Sequence, residues 1–209
     1  MKHELVEMME GQLQASMDAA RFFHTRSVAY TSAALAMRWY KYEVDRVMIA
    51  GYMHDCAKCV PIPEQLSKAA EMMIYVPETY VTEHPHLLHA LTGPAIAQID
   101  YGIYDREIHQ AITTHTTGSP NMTVMQKIVY VADFIEPNRE DVVMHMENYR
   151  EMAFLDLDKA VYMIADRTLE YLKKKNAYID PATVSTRDFY KKLVEERDRE
   201  KELPVTDRR

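Results

Sequence analysis

The feature that most restricts how this chain can fold is the period of its apolar residues. They return every three to four positions in segment after segment, which is the spacing of one face of an α-helix. Leu157, Ala160, Val161, Ile164, Ala165, Thr168, Leu169 and Leu172 form one such stripe. Val44, Val47, Met48, Gly51 and Tyr52 form another, in a helix expected to end near Lys58, before Pro61 and Pro63. Leu5, Met8, Met9 and Leu13 mark an opening helix. Asp18 is placed to cap the next, from about Ala19 to Tyr40, anchored by Phe22, Val28, Leu35 and Trp39. Beyond a loop containing Pro77, Pro85 is a suitable first residue for a helix to about Asp100. A further helix spans about Asp105 to His115 and stops at Gly118 and Pro120. Val124 to Ile135 reads as a buried helix, although its Ile128-Val129-Tyr130-Val131 run has strand character. The last helix starts near Pro181 and leads into a charged tail, Glu195 to Arg209, expected as a solvated helix end or disordered.

Only five glycines and nine prolines interrupt this pattern, and no stretch has the short strand-and-turn rhythm of a β fold. The expectation is an all-α fold in one compact domain. Residues 1–150 would form the core, and residues 151–209 would be C-terminal helices packed on it. The net charge of −7, without a basic stripe, excludes a tight binder of nucleic-acid polymers. An anionic substrate would need a few local cations or metals. Met1-Lys2-His3-Glu4 has no apolar signal core, and no segment approaches transmembrane length, so the cytoplasm is the expected location.

Chemistry enters through His24, His54-Asp55, His89, His115 and Asp133, each within or at the end of a helix with apolar anchors. His54 follows Val47 by seven residues and Gly51 by three, and His115 shares a face with Ile108, Ala111 and Ile112. Asp133 interrupts an otherwise apolar helix, and a buried carboxylate needs a partner. A lone inward histidine is more often a satisfied core residue than a ligand. It is the joint, ordered pattern that points to metal. Imidazole mixed with carboxylate suits iron, manganese or zinc rather than an all-oxygen cage. Four histidines and two aspartates suffice for two divalent ions if Asp55 bridges. Ions about 3.5–4 Å apart can share a bridging hydroxide and clamp the attacking and leaving oxygens at phosphorus. Lys58, four residues after His54, can point to the same place and neutralise charge on a phosphate oxygen. Arg139 offers a planar fork suited to phosphate.

Arg21-Phe22-Phe23-His24-Thr25 followed by Met53-His54-Asp55-Cys56-Ala57-Lys58, with Asp133 closing, resembles the H…HDxxK signature of the HD superfamily of phosphohydrolases. His89 in Leu87-Leu88-His89-Ala90, His115 in Thr114-His115-Thr116-Thr117-Gly118, and Tyr130-Val131-Ala132-Asp133-Phe134-Ile135-Glu136-Pro137-Asn138-Arg139 resemble the YqeK family within it. So does Pro181-Ala182-Thr183 through Arg187, and the likeness extends from about residue 18 to about residue 190. The resemblance implies an HD-domain helical bundle with a C-terminal helical extension. It implies a bis(5'-nucleosyl)-tetraphosphatase that splits diadenosine tetraphosphate symmetrically into two ADP at a dinuclear centre, iron being the implied metal. Carried over, His24, His54, Asp55, His89, His115 and Asp133 are metal ligands, with Asp55 and Lys58 in catalysis. Arg21, Lys58, Thr116, Arg139 and, more weakly, Arg187 contact the nucleotide. Asp188 stands where the family pattern leads one to expect Asn.

Cys56 and Cys59 have C-x-x-C spacing, but there is no second pair for structural zinc and no βαβ setting for redox chemistry. His3, His84, His86, His109 and His145 lack the context of the other four and read as surface or structural. The abundant methionines at helical spacing read as core filling. Two alternatives stay open: a phosphohydrolase of mononucleotides or other phosphoesters, and a metal-dependent nucleotide sensor with little turnover. Expected partners are the nucleotide polyphosphate and its ADP product, with neither a nucleic-acid polymer nor a membrane, and a homodimer is left open.

Overall fold

The computed structural model describes residues 2–139 and 145–202, and every regular element among them is helical. In chain order these are α1 (Lys2–Ser16), α2 (Ala19–Trp39), α3 (Val44–Met53), α4 (Ile62–Glu71) and α5 (Thr79–Thr82). There follow α6 (Pro85–Tyr101), α7 (Arg106–Thr114), α8 (Val124–Ile135), a 3-10 turn at Pro137–Arg139, α9 (Met146–Leu155), α10 (Leu157–Lys174) and α11 (Pro181–Glu202).

Local chemistry accounts for several boundaries. Asp18 accepts the Arg21 amide at 2.8 Å and opens α2, and Asp105 caps α7 through the amides of Glu107 and Ile108. Thr123 and Gln126 form a capping box at the start of α8. α8 carries Met125, Ile128, Val129, Val131 and Ala132, all fully buried, because it packs against α2, α3, α7, α9 and α10. A helix enclosed by neighbours is apolar nearly all round, which is why its sequence also has strand character.

Three departures from the sequence expectation matter. α3 stops at Met53 instead of near Lys58, and residues 54–59 form successive turns. α4 was not foreseen because Pro61 and Pro63 look like terminators. Proline within the first helical turn is instead a start signal, since its missing N–H would have had no partner there. α9 also escaped notice. It is secured from outside its own sequence, by the Trp39 indole donating to Ala153 O at 2.8 Å. The charged tail continues α11 as far as Glu202, and its residues 203–209 lie outside the described residues.

Two close helix contacts position the chemistry. A Cβ on Gly51 of α3 would lie 2.7 Å from Ala29 Cα of α2, and one on Gly93 of α6 would lie 2.5 Å from Ile112 Cγ2 of α7. The missing side chains allow α2 to approach α3 and α6 to approach α7. Each of these pairs carries two of the four inward histidines, at its ends.

Candidate metal centre

His24 lies on α2, His54 and Asp55 follow the end of α3, His89 lies on α6, His115 ends α7, and Asp133 lies on the last turn of α8. These residues, far apart in sequence, meet at one point. His24 Nε2 is 3.3 Å from His54 Nε2, 3.1 Å from Asp133 Oδ1 and 3.9 Å from Asp55 Oδ2. On the other side His89 Nε2 is 3.2 Å from His115 Nε2, and the two lie 3.0 and 3.5 Å from Asp55 Oδ1. The two oxygens of Asp55 therefore face opposite histidine pairs. Two donor groups, His24 with His54 and Asp133, and His54 with Asp55 and His115, each have their atoms within 4.8 Å of one another.

The donor set fits divalent ions. Nδ1 of His54 lies 2.7 Å from Gly51 O, and Nδ1 of His115 lies 2.7 Å from Ile112 O. A carbonyl can only accept, so Nδ1 bears the proton on each ring, and each Nε2 turns a lone pair into the cluster. Asp55 Oδ1 is buried and receives no hydrogen bond, although two imidazole nitrogens lie beside it. Lone pairs directed at one another and a buried unsatisfied carboxylate oxygen are the arrangement that a cation relieves.

Protonation states agree. Burial pushes the imidazoles of His54 and His89 down to about 4, so both are neutral ligands at neutral pH. Burial opposes ionisation of Asp55, but the imidazoles of His54, His115 and His89 outweigh it and hold the carboxyl well below its usual range. Asp133 is likewise depressed against its burial, through His24 and the Arg139 charge. His24 is raised, because Asp133 and Glu136 outweigh the opposing effect of burial.

Glu136 was quoted within a motif but given no role by the sequence reading. It is 2 % exposed, and its Oε1 lies 3.2 Å from His24 Nδ1, where it fixes the ring. The available signal was its spacing, three residues beyond Asp133 and directly after the last residue of α8.

The expected nucleotide contacts divide. Arg21 donates from Nη1 to Asp55 Oδ2 at 2.6 Å, and Arg139 from Nη2 to Asp133 Oδ1 at 2.9 Å. Lys58 Nζ is 3.2 Å from His89 Nδ1 and 3.3 Å from His86 O, reached through the turns after α3 rather than along a helix. Thr116 lines a cavity of about 310 Å³ that opens beside His115 and Asp133 between α8 and α10. Arg187 is not brought to this cluster, and its guanidinium pairs with Asp166 and Asp188 at 3.1 and 2.6 Å. Among the set-aside histidines, His84 stacks on Tyr178 with ring centroids 3.5 Å apart, and His109 Nε2 is 2.7 Å from Ile103 O. Cys56 is buried and Cys59 exposed, both free thiols.

The family model described as "HD domain" matches residues 21–138, more than half of the chain, and spans all six clustered donors. The chain belongs to the HD family. The chain is 35% identical over 166 residues to the symmetrical bis(5'-nucleosyl)-tetraphosphatase of Bacillus subtilis, covering 79% of this chain and 87% of that protein. It is 30% identical to the protein of the same description from Staphylococcus aureus, covering 88% and 94%. A crystal structure from Clostridium acetobutylicum, described as a predicted HD superfamily hydrolase involved in NAD metabolism, superposes with a TM-score of 0.81. It is 30% identical, with 90% of this chain and 97% of that one covered. HD membership and the donor geometry make the cluster a site for divalent metal. Among the described residues, no helix is long and apolar enough to cross a membrane.

Proposed function

We propose that the chain hydrolyses diadenosine tetraphosphate at the centre of its phosphate chain, releasing two ADP, with two divalent ions held by His24, His54, Asp55, His89, His115 and Asp133. The observation that carries this reading is the placement of Asp55 between two histidine pairs, one on each carboxylate oxygen. When bound, such a metal pair polarises the phosphate and supplies an activated water. Iron is the proposed native metal, with manganese and zinc as competent substitutes, and the cytoplasm is the proposed location.

The protein's own groups divide the remaining work. Arg21 holds the Asp55 carboxylate, which would bridge two ions, and Arg139 holds the Asp133 carboxylate. Both arginines, with Thr116, are then poised to meet phosphate oxygens of one nucleotide half. Lys58 sits over His89, and burial lowers the pKa of its ammonium from the usual value. Were His89 to hold a metal through Nε2, its Nδ1 would carry the proton and could not accept from Lys58, which would leave that ammonium free to meet a substrate oxygen. An ADP-sized half held by these groups puts its terminal phosphate at the cluster. Cleavage there expels ADP, a stable polyanion that needs little help from a general acid. We further propose residues 1–150 as the catalytic core and residues 151–209 as an extension on the same domain. The packing of α10 on α8 supports this.

The test is incubation of metal-loaded protein with diadenosine tetraphosphate, ATP and nucleoside monophosphates, followed by chromatography. ADP as the sole product from the dinucleotide is expected. AMP plus ATP would overturn the symmetrical assignment, and intact dinucleotide with both metals bound would make the protein a sensor.

A further inference from the structure

The cavity beside the metal cluster has a wall that neither the motifs nor the sequence reading assigned. One side is α8, through Tyr130, Asp133 and Phe134. The other is a single face of α10, formed by Ile164, Arg167, Thr168 and Tyr171. These four positions follow the i, i+3, i+4, i+7 spacing of one helical stripe. By periodicity alone Ile164 and Thr168 read as core. In the structure Ile164 is buried, but Thr168 is only partly so, because the stripe turns at this point from the core into the cavity. Tyr171 is 49% exposed, a large aromatic ring at the edge of a pocket that reaches the metal ligands. Arg167 lies 3.7 Å from Glu170 Oε2, too far for a hydrogen bond, which leaves its fork available to a ligand.

Size and chemistry agree on the occupant. About 310 Å³ is near the lower bound of small-molecule sites, roughly 300 Å³, and suits one nucleoside rather than a whole dinucleotide. Flat apolar and aromatic walls, with hydroxyls and a guanidinium at the rim, suit a purine base and its ribose. The end lined by His115 and Asp133 is where the phosphates would lie.

We propose that this face of α10 is the nucleoside wall of the substrate site, Tyr171 stacking on the base and Arg167 holding the sugar-phosphate edge. The inference rests on the proposed hydrolysis and adds to it the element that selects the nucleoside. It makes the C-terminal segment part of the substrate site instead of a mere support for the core.

The experiment uses the full metal-loaded chain. Tyr171→Ala is expected to raise KM for diadenosine tetraphosphate about tenfold, which is about 1.4 kcal/mol of binding, with kcat changed by less than about twofold. The Kd of ADP, measured by calorimetry, should weaken by a similar factor. Tyr171→Phe keeps the ring and should restore both values. Arg167→Ala should weaken ADP more than adenosine. Because Tyr171 is half exposed, the melting temperature of its variants should match that of the parent. An unchanged KM and ADP affinity in Tyr171→Ala, or an equal loss in Tyr171→Phe, would overturn the proposal. If the parent protein releases no ADP from the dinucleotide, the proposed reaction fails, and the ADP calorimetry still decides the nucleoside wall by itself.

Discussion

Gly51→Ala tests the link between helix packing and metal binding. The new Cβ would lie 2.7 Å from Ala29 Cα and 3.2 Å from Ala29 N, both backbone atoms that cannot swing aside. Carbon atoms pack at about 3.5–4.0 Å, so α2 and α3 must separate locally by about 1 Å. Overpacking of this kind costs about 1–3 kcal/mol, against a gain of about 1 kcal/mol from replacing glycine in a helix. The net loss is up to about 2 kcal/mol, or a fall in Tm of a few degrees at about 2–4 °C per kcal/mol. The larger effect is on the ligands. His24 and His54, 3.3 Å apart, sit on the two elements being separated, whereas ligand distances tolerate only about 0.2 Å. Metal stoichiometry by mass spectrometry, beside thermal denaturation followed by circular dichroism, should show loss of the ion shared by His24, His54 and Asp133. Because His54 and Asp55 follow α3 and also face the His89–His115 side, binding there should weaken too, but less. Gly93→Ala, which meets Ile112, should show the opposite selectivity. A Gly51→Ala protein that is as stable as the parent and holds two ions per chain would refute the reasoning, because helix propensity would then outweigh the contact.

Four further outcomes are expected. His115→Ala should lose about one metal per chain and most activity, and unchanged metal content would make the site mononuclear. Glu136→Ala releases His24 Nδ1 and should weaken metal binding about 10–100-fold. Equal metal affinity in titrations of the two proteins would remove Glu136 from the site. Lys58→Ala should lower turnover much more than metal content, because Lys58 is not a ligand; parallel losses of both would make it structural. For the chelated protein, the folded-state values of about 4 for His54 and His89 lie below the ordinary 6.5. The unfolded chain therefore binds more protons over that interval. Stability should be fully present above about pH 6.5 and fall as the pH drops towards 4, by roughly 3 kcal/mol per histidine at most. His24, raised by its carboxylates, opposes this with the reverse sign. Urea unfolding of the chelated protein at pH 7.5 and pH 5 measures the balance, and a higher midpoint at pH 5 would contradict neutral burial of the two rings.

The sequence by itself determined the long amphipathic helices, though not α4, α9 or the end of α3, together with the inward face of each and the types of ligand on those faces. These are local properties: the period of α8 or α10 reports its environment whatever the neighbour is, and Asp18 caps α2 through an amide three residues away. The six donors could be named for the same reason, since a polar residue on an apolar face is visible without a structure. Only the tertiary structure decided which donors meet. The pairing of His24 with His54 and of His89 with His115 depends on helices separated by long intervals, and on two glycines that let them approach. Periodicity names a face but not its partner. The same limit hid Glu136, whose role exists only because α2 brings His24 beside it, and hid the pairing of Arg187 with Asp166 on α10. It also hid the nucleoside wall. Thr168 and Ile164 obey one helical rule, and whether that stripe meets another helix or an open cavity is settled by the shape of what packs against it.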